Sequence, residues 1–154
     1  MGAVDDRLAG LGLTLPELAA PLAAYVPTVR SGDLVWVSGQ LPFVDGKLPV
    51  CGKVGGDVAP DDATGLARTC ALNAVAALKA ELGDLDLVER IVKVVGFVAS
   101  APDFTGQPAV VNGASQLLAD VFGDAGRHAR SAVGVGVLPL DAPVEVELVA
   151  KVKG

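Results

Sequence analysis

Arg130-Ser131-Ala132-Val133-Gly134-Val135-Gly136-Val137-Leu138-Pro139 is the stretch from which the fold is read. At a period of two, Ser131, Val133, Val135 and Val137 share one face and Arg130, Ala132, Gly134 and Gly136 the other, the alternation of a strand. Glycine inside a strand costs about 0.5–1 kcal/mol relative to alanine. Two of them on one face imply that something approaches the backbone closely there. Leu140-Asp141-Ala142 then makes a connection, and Pro143–Val152 reads as a second strand. In it Val144, Val146, Leu148 and Ala150 alternate with Glu145, Glu147, Val149 and Lys151, so two carboxylates share a face.

Outward from this pair, Thr105–Phe122 has helical spacing, with Val110, Val111, Ala114, Leu117, Leu118, Val121 and Phe122 on one side and Gly123 as a stop. Ile91–Ala99 is a Val-rich strand. Asp61–Leu82 reads as a second helix, with Ala63, Leu66, Ala67, Cys70, Ala74, Leu78 and Leu82 at three- and four-residue steps before Gly83. Asp45-Gly46 favours a tight hairpin turn. Tyr25–Arg30 and Leu34–Gln40 read as strands joined at Ser31-Gly32-Asp33. Thr14-Leu15-Pro16-Glu17 reads as a helix start, Thr as cap and Pro in the first turn. Residues 1–24 therefore read as a helical extension, and residues 25–154 as one domain. The order of strands, helix, strand, helix and two strands predicts an α+β sandwich, two helices on one face of a mixed or antiparallel sheet. In the strand Ile91–Ala99, Ile91, Val95 and Phe97 alternate with Val92, Val94 and Val98, apolar on both sides. Two helices cover only one face, so a second copy of the chain is the expected cover for the other.

The 154 residues suit one domain. Eighteen acids against twelve bases give a net charge of -6, the opposite of the basic stripe that displaces counterions from nucleic acid. Charged residues are interspersed with Val, Leu and Ala, a composition that packs rather than staying disordered. No apolar run approaches the roughly 20 residues needed to cross a bilayer. Met1-Gly2-Ala3-Val4-Asp5-Asp6 is acidic where a secretory signal is basic, and Asp6 stands where a myristoylation signal has Ser or Thr. The expectation is a soluble, cytoplasmic chain with neither membrane nor nucleic acid as partner.

Cys51, Cys70 and the single His128 have no metal-ligand spacing. Cys70 reads as a core residue on a helix and Cys51 as a loop or strand thiol, and a disulfide between them is disfavoured in a reducing cytoplasm. His128 has no nucleophile motif beside it and reads as a loop residue. Phosphate and dinucleotide cradles are absent. The remaining candidate is Arg130, whose planar fork suits a carboxylate ligand. The competing reading pairs Arg130 with Glu145 or Glu147 across neighbouring strands, the glycines then admitting a packed subunit.

Ala129-Arg130-Ser131 through Leu138-Pro139 to Val144-Glu145-Val146-Glu147, together with Val37-Ser38-Gly39-Gln40-Leu41-Pro42, resembles the Rid (YjgF-type) family of enamine/imine deaminases. Tyr25-Val26, Ile91-Val92-Lys93, Phe97-Val98, Asp103-Phe104 and Val111-Asn112 extend the likeness over residues 25–152. The resemblance implies a chorismate-mutase-like fold assembled as a trimer, with clefts between subunits. It implies that Arg130 grips the carboxylate of a 2-imino acid or its enamine, that Glu145 handles the attacking water, and that Tyr25, Ser38, Gly39 and Asn112 line the cleft. The products would be a 2-oxo acid and ammonia, with no metal or organic cofactor. The chain departs from the deaminase branch in having His128 where proline is frequent, Ala132 where cysteine is frequent, Val146 for isoleucine, a longer N-terminus, and an insertion containing Gly106-Gln107-Pro108. A binding module that senses small carboxylates through the same cleft is the alternative function, and a purely structural oligomer a third. The family also carries an endoribonuclease label, which the acidic charge and the single histidine disfavour here.

Overall fold

The structure is a computed structural model and describes residues 2–18 and 24–154. Helix α1 (Ala3–Gly10) is followed by strands β1 (Thr28–Ser31) and β2 (Leu34–Gln40), helix α2 (Pro60–Leu82) and strand β3 (Val88–Ala99). Helix α3 (Gln107–Phe122) and strands β4 (Ala129–Val135) and β5 (Val144–Val152) complete the order. The sheet runs β1-β2-β5-β3-β4. Only β3 and β4 are parallel, as the helical crossover between them requires.

Local sequence accounts for the element ends. Pro60 opens α2 with Asp61 and Asp62 in the first turn, where carboxylates favour the helix dipole. Gly83 closes it at φ 74°, a conformation that favours glycine. Asp45 and Gly46 have φ of 51° and 78° and join Val44 to Lys47, a tight turn of the expected kind. One side of the sheet, with Val35, Val37, Ile91, Val94, Val98, Val144, Val146 and Leu148, packs under the helices as the main core.

Three readings of the sequence are revised. Residues 13–18 are irregular rather than the start of a helix at Thr14, and residues 19–23, into which that helix would run, lie outside the described residues. The N-terminal helix lies earlier, and it is not an appendage, because Val4 and Leu8 enter the core. The Asp86 carboxylate accepts hydrogen bonds from the N–H groups of Ala3 and Val4 at 2.8 and 2.9 Å, capping α1 from the turn Leu85–Leu87 that follows α2. In β3 a register shift between Ile91 and Lys93 inserts a residue, which reverses the alternation beyond it. Ile91 therefore shares the helix face with Val94 and Val98, while Val95 and Phe97 turn the other way and Val92 is exposed. Finally, β4 ends at Val135, so the strand alternation read on to Val137 stops two residues early.

The two-faced character of β3 survives this shift. On the face away from the helices lie Val29, Trp36, Val95, Phe97, Val133 and Val149; Phe97 packs against a small second cluster of Ala99, Leu138 and Ala142 at one end, and no layer of the described chain covers the rest. Trp36 is 54% exposed and Val133 42%.

Candidate active site

Arg130 is the second residue of the edge strand β4 and lies opposite Val94, so its side chain leaves the sheet on the helix side. Its Nη1 donates to Asn112 Oδ1 at 2.7 Å and to Ser115 Oγ at 3.2 Å, and its Nη2 to the Pro108 carbonyl at 3.3 Å. All three acceptors are neutral and belong to α3. Three of the five guanidinium N–H groups are thereby engaged. Among the described residues Nε and one hydrogen of Nη2 are left without an acceptor, and these two nitrogens are the pair through which a planar guanidinium can meet a carboxylate with two parallel hydrogen bonds. None of the four ion pairs among the described residues involves Arg130. The pairing of Arg130 with Glu145 or Glu147 is therefore overturned; those carboxylates leave β5 on the opposite face.

His128 and Ser115 join the same network. His128 Nδ1 lies 2.6 Å from the Gly126 carbonyl and Nε2 lies 2.8 Å from Ser115 Oγ. A shallow depression of about 300 Å³, open to solvent, is lined by Ser115, Ala119, Gly126, Arg127, His128 and Arg130. Neither His128, which reads as a loop residue, nor Ser115 stands out in the sequence as a site residue. The available signal was helical, since Ser115 stands one turn after Asn112 on the same face of α3. Nearby, Gly134 makes room for Gln107, whose Nε2 would stand 2.8 Å from a Cβ there, whereas Gly136 has open space around it. Part of the bare floor expected beside Arg130 is thus filled by the chain itself.

The second group of site residues gathers at the β2–β5 contact. Val37 pairs with Leu148 but Gln40 with Val146, so β2 carries an extra residue at Ser38-Gly39, and such a bulge re-aims the groups beside it. The carboxyl of Glu145 is tucked against Gly39, where a Cβ would come within 2.9 Å of its Cδ. Burial first, and the neighbouring Glu147 second, push the Glu145 carboxyl above the ordinary glutamate value. Ser38 donates through Oγ to the Val26 carbonyl at 2.7 Å, and its N–H to the Pro27 carbonyl at 2.8 Å. These bonds hold Val26 and Pro27, which follow the exposed Tyr25, against the bulge. Ser38, Gly39 and Glu145 are thus brought together, with Tyr25 next in sequence to the Val26 that Ser38 holds, and Arg130 and Asn112 are brought together, but the two groups stay apart. Arg130 is opposite Val94 and Val94 opposite Leu148. Two strand spacings across and three residues along separate Arg130 from Glu145 by roughly 14 Å at the α-carbons, on opposite faces.

Among the described residues no cluster of three or more His, Cys, Asp or Glu side chains could hold a metal ion, and no helix is long and apolar enough to cross a membrane. Both cysteines are free thiols. Cys70 is buried, with Sγ against the Val144 carbonyl, and burial pushes its thiol well above the ordinary range, as befits an inert core residue.

Residues 5–152 match the family described as "YjgF/chorismate_mutase-like, putative endoribonuclease". The chain belongs to the YjgF (Rid) family. Its sheet and helices have the chorismate-mutase-like arrangement of that family. Protein TCP17 of Trypanosoma cruzi is 48% identical to it over 147 residues, covering 95% of this chain and 92% of that protein. The 2-iminobutanoate/2-iminopropanoate deaminase of Escherichia coli K12 is 34% identical over 131 residues, covering 85% and 89%. The crystal structure of the protein Atu1372 from Agrobacterium tumefaciens is 47% identical, with a TM-score of 0.91 over 98% of this chain and 94% of that one. The family match begins at residue 5, within α1, in keeping with a YjgF domain that uses its N-terminal helix as core.

Proposed function

We propose that this YjgF-family chain hydrolyses reactive 2-imino acids and their enamine tautomers to 2-oxo acids and ammonia. The observation that carries the reading is Arg130, fixed by three neutral acceptors and, among the described residues, left with Nε unengaged and with no acid partner. In a chain of net charge -6, such a group is a local site for a small carboxylate. The named activity of the 34% identical E. coli relative supports the same class of substrate.

The reaction asks for little beyond position and water. With the carboxylate held by Arg130, the protonated imine carbon is already electrophilic. Water adds to C2 as Glu145 takes its proton, the nitrogen of the carbinolamine is protonated, and ammonia leaves as the carbonyl forms. A carboxyl raised above the ordinary glutamate value suits this role as base and then acid. Carboxyl and imine carbons of the substrate are bonded neighbours, so the clamp and Glu145 must serve adjacent atoms. Separated by roughly 14 Å in one chain, they meet only if one copy supplies the clamp and another supplies Tyr25, Ser38, Gly39 and Glu145. A homotrimer closing the apolar face that bears Trp36 and Val133 provides that arrangement. Two free thiols suit a reducing cytoplasm.

The direct test generates 2-iminobutanoate or 2-iminopropanoate in situ and follows its decay with the wild type and with Arg130→Ala. Faster decay with the wild type alone is the expected result. Equal decay for both proteins and a blank refutes the activity. Arg130-dependent binding of 2-oxo acids without turnover would select a sensing module instead.

A further inference from the structure

We propose that Ser115 and His128 are positioning residues that lock the Arg130 guanidinium in its ligand-binding orientation through a directed hydrogen-bond chain anchored at Gly126. The proposal rests on the reading of Arg130 as the carboxylate clamp.

The direction of the chain follows from what each atom can do. The Gly126 carbonyl can only accept, so the His128 nitrogen 2.6 Å away, Nδ1, carries a hydrogen. In the neutral ring Nε2 is then the acceptor. Ser115 must donate its only hydroxyl hydrogen to it across 2.8 Å. With that hydrogen committed, the lone pairs of Ser115 Oγ face Nη1 of Arg130, which donates at 3.2 Å. Asn112 takes the other Nη1 hydrogen. A serine without the histidine would be free to rotate its hydroxyl and present a hydrogen to a cation. The imidazole removes that choice.

The anchor is also fixed. A Cβ at Gly126 would come within 2.6 Å of the Leu118 carbonyl carbon and closer still to its oxygen, both backbone atoms of α3. Glycine is needed there because the turn Gly123–Gly126 lies directly on the helix. The Gly126 carbonyl, and with it the tautomer of His128, is therefore set by the same helix that presents Ser115, Asn112 and the Pro108 carbonyl. Every partner of the guanidinium is referred to one rigid element.

The test compares the wild type with Ser115→Ala, His128→Leu, His128→Gln and Arg130→Ala, measuring kcat and KM for 2-iminobutanoate separately. Glutamine can place an acceptor oxygen where Nε2 stood. Ser115→Ala and His128→Leu are expected to raise KM about 10-fold while kcat changes by less than about twofold, as a lost orienting contact to a binding group should. His128→Gln is expected to restore KM to within about threefold of the wild type. Nitrogen-edited NMR of the Arg130 guanidinium gives a readout independent of turnover. Restricted rotation and slow exchange of the Nη1 hydrogens are expected in the wild type and His128→Gln, and averaging in Ser115→Ala and His128→Leu. Unchanged KM and unchanged guanidinium spectra in those two variants overturn the proposal. If Arg130→Ala itself leaves turnover intact, the substrate reading fails, and the spectra still decide whether Ser115 and His128 hold the arginine.

Discussion

Gly65 on α2 and Gly113 on α3 line the same depression where the two helices cross, yet the same substitution should have opposite effects at the two positions. Alanine in an exposed helix interior is favoured over glycine by about 1 kcal/mol. At Gly65 nothing lies within 4 Å of a built Cβ, so Gly65→Ala should collect that gain. For a chain of this size 1 kcal/mol moves the melting temperature by about 2–4 °C, here upward. At Gly113 the Cβ would come within 2.9 Å of the Thr64 carbonyl carbon and closer to its oxygen. That neighbour is backbone and cannot turn aside, so the helices must separate. Overpacking of this kind costs at the upper end of the usual range, about 3 kcal/mol. Subtracting the propensity gain leaves a loss of about 2 kcal/mol, or a fall of about 4–8 °C. Melting followed by circular dichroism at one fixed protein concentration checks both, since assembly would link the transition to concentration. The displacement should also shift Asn112 and Ser115 against Arg130, so Gly113→Ala should weaken 2-oxo acid binding while Gly65→Ala leaves it unchanged. A Gly113→Ala protein that melts at or above the wild type would refute the reasoning.

Two further outcomes follow from the carboxylates. The Glu145 carboxyl is raised in the folded chain, so its ionisation opposes folding. Wild-type stability should fall as pH climbs from the unfolded glutamate value through the folded one, and Glu145→Gln should escape that loss. Urea unfolding across pH should show a gain for the variant that is absent in acid and full above the folded value; a difference independent of pH would contradict this. Asp86 has the opposite sign. Its carboxyl is lowered first by the Val4 N–H, then by that of Ala3, so its contribution is present above the unfolded aspartate value and lost as pH falls through the folded one. Amide hydrogen exchange should show α1 losing protection in that acid window before α2 does, and Asp86→Ala should show the loss already at neutral pH.

The sequence was most legible where a local rule and the tertiary structure agree. The apolar spacing of α2, its stop at Gly83 and the Asp45-Gly46 turn need no distant partner to specify them. The alternation at Arg130 also groups its side chain with Ala132 and Gly134, as the pairing with Val94, Gly96 and Val98 has it. Legibility failed where a single residue changes parity or where a partner comes from elsewhere in the chain. The extra residue near Val92 reversed which face Ile91 takes, and a period-two reading carries no mark of such a bulge. Thr14-Leu15-Pro16 has the chemistry of a helix start, but the Asp86 carboxylate nucleates α1 earlier instead. Glu145 and Arg130 share a motif and still point apart, because facing is decided by register across two strands. His128 has no nucleophile beside it in sequence; its partner Ser115 is supplied by α3, which lies over β4.

The parallel pairing of β3 with β4 has a consequence for how this site can change over time. Pro108, Asn112 and Ser115 belong to the crossover helix, and Arg130 to the strand that the crossover delivers, with Asn112 and Arg130 only 18 residues apart. Crossovers of this kind have one hand, so the proposed anion clamp is a property of a single supersecondary unit. The pocket of Glu145 is different, since it forms only when the last strand closes against Gly39 near the other end of the chain. Substitutions around Gly39 and Glu145 can therefore remodel the half proposed to handle water without rebuilding the proposed clamp. A lineage, or a designer, can keep the carboxylate grip and exchange the chemistry performed next to it.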